Sequence, residues 1–352
     1  MKNSKKIFVL LTVFLFSLTK ISADSSKISS SAQKSAGASP STLPTQSTSA
    51  AKSTSSAQST SAAKSTKPAQ STQGEFYTIP EPKRRSVGIS GLNKSQTVKF
   101  RNSYLTESKQ VWLSQVLYDS IPYRPYIRQQ LKKRKMPLCL QFLPIVESNY
   151  KVTATSPSGA KGLWQFMENS MSPYMKKNWW YDERLDPWKE TDAALLKLAE
   201  NYKTFGDWAF ALAAYNMGAG ALKRLIKQYP GKDFWWLAEN GKLRSETADY
   251  VPKLLAISDI VMNAEYWGAL RVAAADKRIE NVSVTTYDYI KITGSISFTD
   301  FSKATGISSE KLKFLNPALL RECTPPKSTW RLRLPKGSAK KAAADLKAFL
   351  QK

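Results

Sequence analysis

Residues 208–214, with the sequence WAFALAA, place no polar side chain on any face of a helix. A helix that is apolar on every side is stable only when other elements surround it. We therefore predict that this segment forms the central buried helix of a globular domain. No other feature of the chain constrains the fold as strongly.

The segments around this run have helical periodicity. One helix is expected near 105–119 and another over 246–262. Asp186-Pro187 predicts a helix start, because Asp caps the first amides and Pro fits the first turn. The helix that follows places a set of apolar side chains on one stripe: Leu195, Leu198, Tyr202 and Phe205. These patterns predict a mainly α chain with an all-helical domain over residues 105–270, large enough to have its own core.

The N-terminal segment has the pattern of an export signal. A basic start, MKNSKK, precedes a twelve-residue apolar stretch at 7–18, which is shorter than the roughly 20 residues of a membrane span. The small residues Ser22-Ala23 follow, so residues 1–23 are predicted to be a signal peptide; an uncleaved anchor is the alternative. No cysteine lies near this site, and a lipoprotein is not expected. The protein is predicted to reach the periplasm or cell envelope.

Residues 24–75 consist mostly of Ser, Thr, Ala, Gln and Lys, and a twelve-residue unit occurs at 46–57 and again at 58–69. With so few large apolar side chains, the segment cannot offset the entropy of ordering its backbone. We predict a disordered linker, joined to the helical domain by a connecting segment over 76–104.

The composition excludes several kinds of chemistry. There is no histidine, which removes Ser-His-Asp and Cys-His nucleophile pairs and histidine-ligated zinc. Carboxylates, tyrosines or lysines must carry any reaction, and no metal or cofactor is expected. The chain has two cysteines, Cys139 and Cys323, so at most one disulfide bridge is possible. Cys139 lies in an apolar stretch and is expected to be a buried, unreactive thiol.

The formal charge of the chain is +26. In an exported protein, this excess favours electrostatic contact with an anionic wall or membrane surface, and nucleic acid is not expected as a partner. A basic face that is simply solvated is the alternative.

The last 75 or so residues change character. Strand propensity over 282–292 and over 330–335 flanks two short helical patterns at 298–305 and 308–315. We predict a small β-α-α-β module over 280–337, followed by a basic helical tail over 338–352.

Glu147 ends the apolar run Leu143-Pro144-Ile145-Val146 and precedes a turn rich in Ser and Gly. Apolar surroundings disfavour the charged form of a carboxyl and raise its pKa toward neutrality, as a general acid requires. The residue is therefore either an acid held ready for chemistry or part of a structural ion pair. The motifs that accompany it favour the first interpretation.

Four motifs occur in one order: ESNY with SPSGAKGLWQFM, then DERLDPWKETDAAL, AAYNMG and ETADYVPKLLA. Together they resemble the lytic transglycosylases of the soluble lytic transglycosylase (SLT) domain type, and in particular their membrane-bound D subgroup, over residues 105–268. The resemblance implies a lysozyme-like helical fold. Residues 280–337 look like a degenerate LysM repeat, which implies wall binding; a spacer packed on the helical domain is the alternative.

The resemblance also implies roles for individual residues. Glu147 matches the single catalytic acid and base of the family. Six further positions match residues that bind or border the glycan: Ser156, Gln165, Tyr215, Asn216, Glu246 and Tyr250.

The implied reaction is non-hydrolytic cleavage of the β-1,4 bond between N-acetylmuramic acid and N-acetylglucosamine in peptidoglycan, giving 1,6-anhydro ends. Other acids lie nearby, so a lysozyme-type hydrolase using a second carboxylate is an alternative; the candidates are Glu168, Asp182, Glu183 and Asp186. A non-catalytic wall-binding scaffold is another alternative. An exported basic protein that binds nucleic acid or membrane would explain the charge and none of the motifs.

Overall fold

A computed structural model describes residues 81–351 of the chain. The predicted signal peptide (1–23) and linker (24–75) lie outside these residues. Across the part that is described, none of the helices combines the length and the apolar character that a membrane span requires.

The mainly α fold class is confirmed. Residues 81–280 form a helical domain, and its helices in chain order are α1 Ser95–Tyr104, α2 Glu107–Asp119, α3 Arg124–Lys133, α4 Leu143–Ser148, α5 Glu168–Met171, α6 Pro187–Phe205, α7 Trp208–Met217, α8 Ala219–Gln228, α9 Phe234–Glu239, α10 Ser245–Met262 and α11 Leu270–Lys277. Two 3-10 turns, at Leu138–Phe142 and Glu183–Leu185, precede α4 and α6.

The apolar run at 208–214 lies in α7, as predicted. Its five residues from Ala211 to Tyr215 are buried, and α7 packs against α6, α8 and α10. The alanines let these helices approach closely. Cys139 is also fully buried, and burial raises the pKa of its thiol to about 12.

The predicted start of α6 is confirmed, since the Asp186 side chain accepts hydrogen bonds from the amides of Trp188 and Lys189. The apolar stripe predicted on this helix is only partly buried. Leu195 and Leu198 are in the core, whereas Tyr202 is 39% exposed and stacks on Trp208 at the surface.

The segment predicted as a connection contains α1, which packs along α10. The carboxylate of Asp259 on α10 is completely buried and accepts hydrogen bonds from Arg84 at 2.7 Å and Arg101 at 3.0 Å. A buried carboxylate is tolerated only with such partners. The helical domain therefore begins before residue 105.

The C-terminal module has the predicted β-α-α-β order. Strands β1 (Tyr287–Thr293) and β2 (Thr329–Pro335) pair antiparallel, with Ile290 opposite Leu332, and α12 (Phe298–Thr305) and α13 (Ser309–Leu315) lie between them. The predicted tail forms α14 (Ala339–Leu350), which buries Ala342 and Leu346 in the core of the module. The tail is therefore part of the module.

The module packs directly on the helical domain. The Leu320 amide donates to the Trp180 carbonyl at 2.9 Å, and the Asp182 amide donates to the Ala318 carbonyl at 3.0 Å. Arg333 of β2 forms an ion pair with Asp186, the capping residue of α6. These contacts agree with the alternative of a module packed on the helical domain and leave its wall binding a prediction.

Candidate active-site cleft

A cleft of about 640 Å³ opens between α4, the loop after it, α6, α7 and α10. All seven residues singled out from the sequence line this cleft: Glu147, Ser156, Gln165, Tyr215, Asn216, Glu246 and Tyr250. Residues up to 103 positions apart thus share one site, although their individual roles stay predictions.

Glu147 lies near the end of the short helix α4, which stops at Asn149 in a left-handed conformation with φ of 52°. Its side chain is half-buried in a cleft that Val146 also lines, and the Tyr250 hydroxyl donates a hydrogen bond to its Oε1. Burial raises the pKa of Glu147 to about 7. The Tyr250 hydrogen bond and Lys197 oppose this rise in pKa, while the negative charge of Glu246 adds to it. This carboxyl can give up and take back a proton near neutral pH.

The loop over 154–166 forms one wall of the cleft. Lys161 and Phe166 exchange backbone hydrogen bonds of 3.1 Å, and the Gly162 amide donates to the Ala154 carbonyl. Arg184, itself buried, donates to the carbonyls of Gly159 and Phe166, each at 3.2 Å. The loop is therefore held by its own backbone hydrogen bonds and by the side chain of Arg184.

The loop also contacts the carboxylate of Glu190, a completely buried residue of α6. One carboxylate oxygen accepts a 3.0 Å hydrogen bond from the Trp164 amide. A Cβ placed on Gly162 would lie 2.0 Å from the Arg184 carbonyl and 2.4 Å from the Glu190 carboxylate, so the loop reaches this position only with glycine there. Burial raises the pKa of Glu190 well above its usual value.

The loop is also tied to α4 and α7, the two helices that carry Glu147 and the Ala-Tyr-Asn motif. The Ser148 hydroxyl donates to the Leu163 carbonyl at 2.8 Å, and the Tyr215 hydroxyl donates to the Trp164 carbonyl at 2.9 Å. These bonds fix the loop relative to the carboxyl of Glu147.

Two residues predicted to bind glycan have side-chain groups engaged within the protein. The Tyr215 hydroxyl is used by the loop, so this residue presents its ring to the cleft region. Gln165, at a φ of 51°, donates its amide to the Gly162 carbonyl at 2.8 Å. Both side chains therefore hold the loop in place and also line the cleft.

Ser156 and Asn216 keep hydrogen-bonding capacity for a ligand. The Ser156 oxygen accepts from the Ala160 amide at 3.0 Å, which leaves its hydroxyl proton to be donated. The Asn216 side-chain oxygen accepts from the Thr247 hydroxyl at 2.7 Å, which leaves its amide group for a ligand.

The cleft also contains two lysines that sequence reasoning missed, Lys197 on α6 and Lys253 on α10. Lys197 shares α6 with Lys189 and Lys203, whereas Lys253 is the one lysine of α10, and neither position carries a sequence signal of a site. Only the packing of the helices shows that both line the same cleft as Glu147.

The four acids considered for a hydrolase do not line the cleft. Each is engaged elsewhere by a cation: Glu168 with Lys177, Asp182 with Arg184, Glu183 with Lys189, and Asp186 with Arg333. Among the described residues, Glu246 is the acid that shares the cleft with Glu147.

Comparison with known proteins agrees with this arrangement. Residues 124–237 match the transglycosylase SLT domain, and residues 286–350 match the LysM-like domain of lytic transglycosylase MltD. The resemblance to both domains, inferred above from the motifs, is confirmed. The second match runs through α14, in agreement with the packing of this helix in the module.

The chain is 35% identical over 227 residues to membrane-bound lytic murein transglycosylase D of Escherichia coli K12, a match that covers 61% of this chain and 48% of that protein. The same protein from E. coli O6:H1 matches equally. The chain thus spans about half the length of the curated relatives it matches. The 70 kDa soluble lytic transglycosylase of E. coli matches with 20% identity and a TM-score of 0.33, covering 55% of this chain and 33% of that one.

Proposed function

We propose that this protein is a peptidoglycan lytic transglycosylase that cleaves the β-1,4 bond between N-acetylmuramic acid and N-acetylglucosamine without water. The proposal rests on one observation above all. In a chain that matches the SLT domain, a single half-buried carboxyl, Glu147, has a pKa raised to about 7 and lines a cleft of about 640 Å³.

In the proposed reaction, protonated Glu147 gives its proton to the glycosidic oxygen, and the bond from C1 to that oxygen breaks. The acetamido group of the muramyl unit stabilises the electron-poor C1. The carboxylate of Glu147 then takes the proton of the C6 hydroxyl, and the C6 oxygen bonds to C1. The product is a 1,6-anhydromuramyl end, and Glu147 is protonated again.

The contacts of the other groups support the roles that we propose for them. Tyr250 orients the carboxyl of Glu147 through its hydrogen bond. Ser156 and Asn216 have capacity to hydrogen-bond sugar substituents, while Gln165 and Tyr215 hold the loop that forms the groove wall. The predicted export signal and the LysM-like module support action in the envelope on glycan strands, and the basic charge supports contact with an anionic wall or membrane surface.

The test is digestion of purified peptidoglycan with the wild-type protein and with Glu147→Gln, followed by mass spectrometry of the fragments. We expect anhydro-ended fragments from the wild type alone. Reducing ends, heavier by about 18 Da for one water, would instead indicate a hydrolase.

A hydrolase remains the second candidate because Glu246 shares the cleft. Digestion with Glu246→Gln separates the two reactions. A transglycosylase keeps its anhydro products with this change, whereas a hydrolase that uses Glu246 as its second carboxylate loses all cleavage. Binding without fragments from any variant would leave the wall-binding scaffold as the better account.

A further inference from the structure

The cleft contains a cation that the proposed reaction does not use. Lys197 extends from the middle of α6 into the space also lined by Glu147, and its side chain is half-buried. Its ammonium group lies 5.2 Å from the ring centre of Tyr215 and 5.3 Å from that of Phe166. The two rings and the helix hold this charge in a defined place.

The neighbouring lysines are paired, and Lys197 is not. Lys253, which lines the same cleft, lies 3.7 Å from Asp249, and Lys161 lies 3.7 Å from Asp182. In residues 81–351, no carboxylate lies within 4 Å of the Lys197 ammonium, whose hydrogens are donated to no protein acceptor. Burial lowers the pKa of this lysine, an effect that the negative charges of Glu147 and Glu200 oppose.

A partly desolvated ammonium with unused donors is a binding site for an anion. Aromatic rings stabilise the cation weakly and do not use its hydrogens as a carboxylate would. Lys197 lines the same cleft as Glu147, and the charges of these two groups interact. These features fit a single carboxylate carried by the ligand next to the bond that is cleaved.

We propose that Lys197 binds a carboxylate of the muramyl substituent in the glycan strand, and so makes this cleft selective for strands that carry that charge. The proposal rests on the proposed function for the identity of the substrate. Two carboxylates have this chemistry: that of the lactyl group on a peptide-free muramyl unit, and those of the stem peptide when it is attached.

The experiment measures binding in the Glu147→Gln background, where no charge remains at 147 for Lys197 to influence and no cleavage is expected. Three glycan preparations are compared at low ionic strength: peptide-bearing strands, peptide-free strands with their lactyl carboxylates, and peptide-free strands in which these carboxylates are converted to methylamides. Each is titrated against the background protein and against the same protein with Lys197→Met.

We expect Lys197→Met to weaken binding about tenfold for a carboxylate-bearing preparation and less than about twofold for the methylamide strands, as the loss of one charge-assisted hydrogen bond predicts. A loss confined to peptide-bearing strands assigns the stem peptide as the source, and a loss on peptide-free strands assigns the lactyl group. Lys197→Arg, which keeps the charge, should retain most of the affinity.

The matched control is Lys203→Met, which removes the same charge from an exposed position of the same helix. It should leave all three affinities unchanged. An equal loss on all three preparations with Lys197→Met, or no loss on any, would overturn the proposal.

The two proposals fail in different ways. If the wild type yields anhydro ends but Lys197→Met weakens binding of all three preparations equally, or of none, only the carboxylate site is wrong. If no anhydro ends form while binding still depends on Lys197 and on the carboxylate, only the proposed reaction is wrong.

Discussion

At the scale of single residues, we expect the carboxyl of Glu147 to set the pH dependence of the proposed reaction. Burial raises its pKa from 4.5 to about 7, so the proton needed for the first step of the proposed reaction is present below neutrality. We expect kcat/KM to fall about tenfold for each pH unit above about 7, because the acid is lost there. A pH profile of anhydro-end formation tests this, and a profile that falls from pH 5 would contradict it.

The same shift in pKa predicts a cost in stability. Between pH 4.5 and 7 the unfolded chain has lost the Glu147 proton while the folded chain keeps it, so the free energy of unfolding falls as the pH rises through this window. Glu147→Gln removes this penalty. Thermal melts should show the variant more stable than the wild type at pH 8, by at most about 3 kcal/mol, and nearly equal to it at pH 4.

Tyr250, on α10, affects the pKa and the orientation of the Glu147 carboxyl. Its hydroxyl is buried, and the hydrogen bond that it donates lowers the pKa of Glu147. Tyr250→Phe should raise that pKa by up to about one unit and slow cleavage roughly tenfold or more, since the carboxyl loses both a donor and its orientation. The alkaline limb of the pH profile should move upward. A slower enzyme with an unmoved profile would show that Tyr250 acts by packing alone.

At the scale of elements, the loop over 154–166 depends on one glycine. Gly162 has a φ of +88°, and a Cβ there would overlap the Arg184 carbonyl. We expect Gly162→Ala to destabilise the protein by roughly 2–4 kcal/mol, from backbone strain and the displaced loop. Gly159→Ala is the matched control. It has a similar φ of +85° with no atom within 4 Å of its Cβ, and should cost about 1 kcal/mol. Equal costs in denaturant unfolding would refute the steric argument.

The sequence predicted the presence of this loop and did not predict the residues that support it. The Ser and Gly content predicted a turn beside Glu147, and the turn is there. The support beneath it was not predictable, because Arg184 and Glu190 reach it through contacts that no local pattern records. In the sequence these two residues look like charges on a helix start.

At the scale of the whole molecule, the helical domain and the C-terminal module behave as one packed body. The ion pair between Arg333 and Asp186 is largely buried, and Phe314 of α13 lies 6.2 Å from Trp188 of α6, ring centre to ring centre. We therefore expect a single unfolding transition for both parts in calorimetry. Two separate transitions would mean that the interface contributes little.

Arg333→Ala tests the interface directly. It removes one partner of the buried pair and should lower the free energy of unfolding by roughly 2–4 kcal/mol. It should also reduce activity, because Asp186 caps the helix that carries Glu190 and Lys197. Arg331→Ala is the control, since Arg331 is exposed on the same strand and stacks on Tyr289; its cost should be below about 1 kcal/mol.

The sequence by itself determined the mainly α class, the central helix α7, the start of α6 and the order of the C-terminal module. These features depend on local apolar periodicity and capping, which neighbouring residues specify. It also indicated the site residues through motifs whose members lie far apart in the chain. Only the tertiary structure decided that they share one cleft, that α14 belongs to the module and that Lys197 lines the same cleft as Glu147. Those outcomes depend on how helices pack against one another. Contacts between side chains of different helices produce no periodic pattern in the sequence.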